Sequence, residues 1–377
     1  MTRVPFLLSV IVALLVLVRG AIWYRGMAFI PDGPSATVAE AARSLWVSET
    51  LEAPLFSSVR QTLAQKSIED GLTYWQDVFA LGAHGELFPK HSLFSVVVGA
   101  LWYGIFGEFG FWLFQAVSLA ILTYALNSTA YHLSGRPNTW ATLLIVSVGT
   151  PLLVSSSFFS YDIHACMLIT LGLSLARTRP GLGSFAMTLA VFVRPSSLLL
   201  STPLLLAWEN SPYDQRRITS LFLGAAIAMS AFLLSNWVLW GSPILTAYSR
   251  IPVVHGSELL LAPHPVGFDL SVLTADWDSK LFHSSYGALA FNLSFVALPY
   301  LIYSSFQVGS IRTIRIILGV ATFYILYCFS YPHWASSQNG NRLLLPAVCL
   351  YCIPLIIRLG DYEESILSMW RRSGFKH

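Results

Sequence analysis

Long apolar runs separated by short polar ones dominate this chain. Eleven stretches are almost wholly apolar: 5–24, 91–107, 109–132, 139–158, 162–177, 183–193, 195–208, 218–240, 286–306, 313–331 and 342–359. Most approach the ~20 residues that a helix needs to cross ~30 Å of hydrocarbon. Lipid restricts a spanning backbone to helices or closed barrels, so the pattern predicts an all-α, polytopic membrane protein of ten or eleven transmembrane or re-entrant helices. Two polar segments, 25–90 and 241–285, interrupt the pattern at length. Within the first, Val38, Ala41, Ala42, Leu45 and Trp46 recur at helical spacing while Glu40 and Arg43 point elsewhere. That spacing predicts an amphipathic helix on the membrane surface.

Composition agrees: of 377 residues, 55% are hydrophobic and only 11% charged, against about a quarter charged in soluble proteins. Secreted, fibrous, disordered and nucleic-acid-binding classes are excluded, and a net charge of +3 is too small to imply a polyanionic partner. The placement of charge says more. The two polar segments hold twelve of the nineteen acids but seven of the twenty-two Lys and Arg. Basic clusters at Arg136, Arg177/Arg179, Arg216/Arg217, Arg312/Arg315 and Arg371/Arg372/Lys376 then read as cytoplasmic, with both termini, and the two long loops face outward. The first apolar run contains Arg19, is longer than a signal-peptide core and has no convincing small-residue cleavage site, so it reads as a membrane anchor. We read residues 1–359 as one transmembrane domain and 360–377 as a short basic tail.

Two termini on one side require an even number of crossings, and eleven is odd. The reading that keeps every basic cluster on one side breaks 183–208 into two short spans at Arg194-Pro195 and makes 91–107 interfacial or re-entrant. It places Tyr161-Asp162 and Arg194 on the outer side with both loops.

Four cysteines, Cys166, Cys328, Cys349 and Cys352, all fall in apolar runs and read as packing residues, despite the C-x-x-C spacing of the last two. The sequons at Asn127 and Asn292 lie in or against apolar helices. There is no phosphate-binding Gly-rich loop, no dinucleotide fingerprint, no H-E-x-x-H and no strong internal repeat. The last absence weakens a transporter built from inverted repeats.

The few ionisable groups beside apolar runs are the candidate site. Asp32 sits where the first membrane helix opens into the amphipathic segment. It is either a helix N-cap, with Pro34 in the first turn and Thr37/Glu40 as a capping box, or a carboxylate at the bilayer boundary able to act as base or metal ligand. The stretch Tyr74 to Phe94 interleaves polar and aromatic groups, including Asp77, His84, Glu86, Lys90 and His91. Lys90 and His91 at headgroup depth can neutralise a lipid phosphate or simply anchor the interface. Asp162 begins an apolar run, where an acid is rare unless it faces a partner or a water-filled cavity; an N-cap is the rival reading. Arg194 is flanked by apolar residues and needs an anion, a protein carboxylate such as Asp162 or a phosphate. Arg342 opens the last apolar run on the outer side, against the positive-inside trend.

Taken in order, these residues resemble a known family. An acid before an amphipathic A-x-x-A-R-S-L-W segment, Phe88-Pro89-Lys90-His91, an acid beside Tyr161, the Arg194-Pro195 break, Trp240-Gly241-Ser242-Pro243 through Tyr248, and Asn341-Arg342-Leu343-Leu344-Leu345-Pro346 are similar to motifs of the integral-membrane C-type glycosyltransferases. That superfamily includes protein O-mannosyltransferases and lipid A aminoarabinose transferases. The resemblance implies a polyprenyl-phosphate sugar donor and transfer to an acceptor hydroxyl with inversion on the outer or lumenal face of the bilayer. It implies Asp32 as general base or ligand of a divalent cation, Mg or Mn, and Asp162 as the second acid near acceptor and metal. Lys90 would hold the donor phosphate, helped by His91, Arg194 and Arg342. The Asp-Glu pair of the protein mannosyltransferases is here Pro31-Asp32-Gly33, which puts the metal in question. The short tail after Arg358 offers little surface for a protein, so a lipid or glycan acceptor is expected. A bacterial inner membrane fits the scarcity of charge in short loops. The rival classes are a transporter or flippase of lipid-linked sugars and a non-catalytic assembly subunit.

Overall fold

A computed structural model describes residues 3–23, 34–51, 79–136, 138–156, 159–201, 215–250, 252–255, 258–261, 277–282, 289, 292, 295–297, 299–301, 312–330 and 342–372. They form a helical bundle with two small antiparallel hairpins. The helices are α1 (Arg3–Trp23), α2 (Pro34–Ser48), α3 (Leu93–Phe106), α4 (Glu108–Ser134), α5 (Thr139–Leu144), α6 (Leu152–Ser155), α7 (Tyr161–Ala176), α8 (Pro180–Leu189), α9 (Gln215–Trp240), α10 (Trp277–Phe282), α11 (Arg312–Phe329) and α12 (Leu345–Arg372). The hairpins pair β1 (Phe79–Leu81) with β2 (Leu87–Pro89), and β3 (Pro252–His255) with β4 (Glu258–Leu261), both within the long polar segments. Among the described residues four helices are long and apolar enough to cross a membrane: Glu108–Ser134, Gln215–Trp240, Arg312–Phe329 and Leu345–Tyr362. The chain is an integral membrane protein.

Helices α4, α7 and α12 pack together at the centre, with α1 against α4 and α8 between α7 and α9. The core is aliphatic and aromatic, and all four cysteines are buried in it as free thiols, as expected of packing residues. Between α7, α8 and α9 the backbones approach closely because glycines face one another. A Cβ on Gly224 would lie 2.0 Å from the Gly181 carbonyl oxygen, and one on Gly172 would lie 2.2 Å from Met187 Cγ. Small residues are how membrane helices reach such distances, since van der Waals contact and not water exclusion drives their association.

Polar contacts mark the two ends of the bundle. At one end Arg177 donates to the His132 carbonyl (2.9 Å), Arg217 to the Ala176 carbonyl (3.2 Å), and Arg136 pairs with Asp361 (3.3 Å). The C-termini of α4 and α7, the start of α9 and the region around Asp361 therefore meet there. The first turn of α7, the chain around Arg194 and the C-terminus of α9 lie at the other end. Arg136, Arg177 and Arg217, which the sequence placed on one side, are thus gathered at one end, and Asp162 and Arg194 lie at the opposite one.

Helix α3 has 14 residues, about 21 Å of rise, short of the ~30 Å hydrocarbon layer. Its first turn reaches α7 through Ser95 and His164, and its last turn folds back on the start of α4, where the Tyr103 and Phe111 rings stack at 5.7 Å. One turn further along α4, Gln115 bonds the Ser160 backbone just before α7. Both ends of α3 therefore lie at the site end of the bundle, as the parity reading of 91–107 expects. The break at Arg194-Pro195 is present too. Arg194 is extended (φ −144°, ψ 118°), the conformation a following proline imposes, between 3-10 turns at Ala190–Phe192 and Pro195–Ser197. Most of 286–306 and the second half of 195–208 lie outside the described residues.

Two expectations shift. Helix α2 begins at Pro34, so Thr37 is inside its first turn and cannot head a capping box with Glu40. Helix α12 runs unbroken through position 360 to Arg372, past the point where the sequence reading began a tail. Helix α2 is also more embedded than a surface helix. Val38, Ala39, Ala41 and Ala42 are fully buried against α3, and Arg43 is clamped by Glu108 (2.7 Å) and Glu40 (2.8 Å). Burial lowers the Arg43 pKa, but the two carboxylates more than offset it and hold the guanidinium above its ordinary value.

Candidate active site

The site is assembled from four places in the chain: the end of β2, the first turn of α7, the break after α8 and the 3-10 turn Ala247–Ser249 that follows α9. Asp162 and Arg194 are both buried, and the Arg194 guanidinium donates to the Asp162 carboxylate. Of the two anions the sequence allowed for Arg194, the structure supplies the protein carboxylate. From this pair an unbroken series of contacts leads to Lys90. The Arg194 guanidinium lies over the Tyr161 ring (5.4 Å), and Tyr161 stacks on His91 (5.2 Å, 12°). His91 Nδ1 is 2.8 Å from the Tyr248 hydroxyl, and Lys90 Nζ sits over the Tyr248 ring at 5.2 Å. Two cations held by cation–π contacts thus flank a row of three rings, Tyr161 stacked on His91 and Tyr248 edge-on to it.

Lys90 is only 4% exposed, which sets it apart from an interfacial anchor whose ammonium reaches water. It opens onto a cavity that Lys90, His91 and Tyr248 line together with the apolar Phe192, Phe232, Leu239 and Trp240. A phosphate against Lys90 would leave its organic substituent near hydrocarbon-like side chains.

The two long polar segments are tied together by Arg250, which sequence reading overlooked. Its guanidinium forks onto the carbonyls of Leu81 and Gly82, both at 2.7 Å, and its own carbonyl accepts from Leu81 N–H at 2.8 Å. This clamp holds the turn carrying Tyr248 against the hairpin carrying Lys90. Arg250→Ala should lower stability by about 2–3 kcal/mol, the scale of charge-assisted hydrogen bonds. Arg250→Lys should recover little of it, because an ammonium cannot fork to two carbonyls. Thermal unfolding of the purified protein in detergent would show this; an unchanged midpoint for Arg250→Ala refutes the clamp.

The remaining candidates are placed as follows. His84 is exposed in the β1–β2 turn, where its backbone N–H donates to the Glu86 carboxylate (3.0 Å), so these two shape the hairpin tip and do not join the Lys90–Tyr248 contact. Arg342 opens the 3-10 turn that leads into α12, joined to α11 where Cys328 contacts the Leu343 carbonyl. Asp32 and Asp77 lie outside the described residues. Of the two carboxylates proposed as metal ligands, Asp162 is already engaged by a guanidinium, and no group of three or more His, Cys, Asp or Glu among the described residues could hold a metal. The described residues therefore do not assemble a divalent-cation site. Besides Arg250, Tyr248, Ser92, Ser95 and His164 went unassigned in the sequence. The first lay within a motif, and the others are ordinary helix residues until folding places them.

Comparison with known proteins gives one likeness. No family profile and no curated protein matches the chain by sequence. Among solved structures, ArnT from Cupriavidus metallidurans, bound to undecaprenyl phosphate, superimposes with a TM-score of 0.54 at 12% identity. The match covers 94% of this chain and 62% of that one, so this chain spans less than two thirds of ArnT's length. The chain has a fold similar to that of ArnT.

Proposed function

We propose that this protein is a membrane glycosyltransferase that moves a sugar from a polyprenyl-phosphate donor to an acceptor hydroxyl, on a lipid or glycan by the sequence reading. The observation that carries it is the buried Lys90 beside Tyr248 in a cavity that several apolar side chains also line. A lipid phosphate has the matching chemistry: an anion for Lys90 and a long isoprenoid for the apolar side chains. That ArnT was solved with undecaprenyl phosphate supports the same donor class.

In the reaction, the acceptor oxygen bonds to the anomeric carbon as the bond from that carbon to the phosphate oxygen breaks, which inverts the centre. The departing phosphate gains charge, and the buried Lys90 stabilises it. Asp32 takes the hydroxyl proton in this scheme, a role supported by its place in the resembling motif. Asp162 holds Arg194 in register. On the positive-inside rule the basic end of the bundle is cytoplasmic, and the site opens to the outer face of a bacterial inner membrane.

The test supplies purified protein with radiolabelled polyprenyl-phosphate sugars and a membrane extract, comparing native protein with Asp32→Asn. Transfer by the native protein that falls roughly 100-fold or more in the variant is expected of a general base. Equal transfer by both removes Asp32 from that role, and no transfer from any donor favours transport or assembly.

A further inference from the structure

The hydrogen-bonded chain Ser92–Ser95–His164 lies outside the cation stack yet starts next to it. Ser92 is one of two non-glycine residues with positive φ among the described residues (φ 56°, ψ 64°). A left-handed conformation at such a residue costs free energy and persists only when its surroundings over-determine it. Here the surroundings are explicit. Ser92 caps α3, its Oγ accepting from Ser95 N–H at 3.2 Å, and its hydroxyl bonds Ser95 Oγ. Ser95 Oγ in turn lies 2.6 Å from His164 Nδ1. His164 is fully buried, stacked on Phe114 at 4.0 Å with Phe159 at its edge.

The turn at Ser92 sets the direction in which the chain leaves α3 toward His91 and Lys90. Asp162 and His164 share the first turn of α7. One end of α7 therefore reaches Arg194 through a carboxylate and the Lys90–His91 corner through two serines. We propose that His164 is a positioning residue: through Ser95 and Ser92 it fixes Lys90 and His91 against the first turn of α7, so that Lys90 is held in place to meet the phosphate. The proposal rests on the glycosyltransferase reading of this site. A cooperative chain of hydroxyls ending on a rigid ring suits that task, because displacements near 1 Å are costly to a preorganised site.

The experiment measures binding of undecaprenyl phosphate to the full-length protein in nanodiscs, alongside thermal unfolding. His164→Phe keeps the ring stack and removes the ring nitrogen that meets Ser95, so Kd should rise roughly tenfold with little loss of thermal midpoint. His164→Asn offers an oxygen near the position of Nδ1 and should stay within about threefold of native, whereas His164→Gln reaches past it and should behave like His164→Phe. Ser95→Ala cuts the same chain from the other side and should match His164→Phe, with no further loss in the double variant. Lys90→Met is the control. Weakening by Lys90→Met with native binding by His164→Phe and Ser95→Ala overturns the positioning role alone. Equal weakening by all three His164 variants shows packing, and overturns it as well. Native binding by Lys90→Met overturns the donor-site reading, and the proposal with it.

Discussion

Arg194→Met is expected to be the most damaging single substitution at the site, costing about 3–5 kcal/mol of stability and abolishing transfer. Asp162 is fully buried, and the substitution removes the guanidinium that neutralises it. A charge held in low dielectric without its partner bears its full desolvation cost. The double variant Asp162→Leu/Arg194→Met should be markedly more stable than the Arg194→Met single, since replacing a whole buried pair by apolar groups is often neutral. Transfer should stay lost in the double, because the Tyr161 ring that stacks on His91 loses the guanidinium lying over it. Thermal unfolding in detergent and the radiolabel assay separate the two effects. A single variant as stable as native protein would show that the pair is not what holds the end of α8 to α7. A double variant with native transfer would remove Arg194 from the chemistry.

Lys90→Met should weaken binding of the polyprenyl phosphate by about 2 kcal/mol or more, roughly 30-fold in Kd, the scale of losing one member of a buried charge pair. Met preserves the length and apolar character of the side chain, so the cavity wall and the contact with Tyr248 change little. Lys90→Arg retains charge and the cation–π contact and should keep most of the affinity, although its planar fork is not isosteric with an ammonium. Titration of undecaprenyl phosphate into each variant gives the comparison. Equal Kd values for native protein and Lys90→Met would exclude Lys90 as the phosphate ligand.

Much of this site was legible before folding because membrane sequences penalise stray charge. An ionisable group beside an apolar run is expensive, so Lys90, Asp162 and Arg194 stood out as candidates on position alone. The pre-proline position of Arg194 also foretold the break that brings its side chain back toward α7. What escaped notice was polar but cheap. Ser92, Ser95 and Tyr248 resemble countless helix and turn residues, and Arg250 sits in a polar segment where arginines are ordinary. Ser92 meets Ser95 three positions on, but the roles of Ser95, Tyr248 and Arg250 exist only as contacts across 69 to 169 positions, which no local pattern encodes. His84 and Glu86 show the converse: they lay in a suggestive stretch, yet the tight β1–β2 turn uses them on each other.

By itself, then, the order of residues determined that the protein lives in a bilayer, that its helices form an all-α bundle, and that basic residues gather away from the candidate site. Those properties follow from transfer free energies and helical periodicity, which act residue by residue. Only the tertiary structure decided which anion Arg194 would meet and that two distant outer segments would place Lys90 against Tyr248. Such pairings depend on how helices cross, and here the crossings are set by facing glycines and a buried ion pair whose partners are brought together only by the fold.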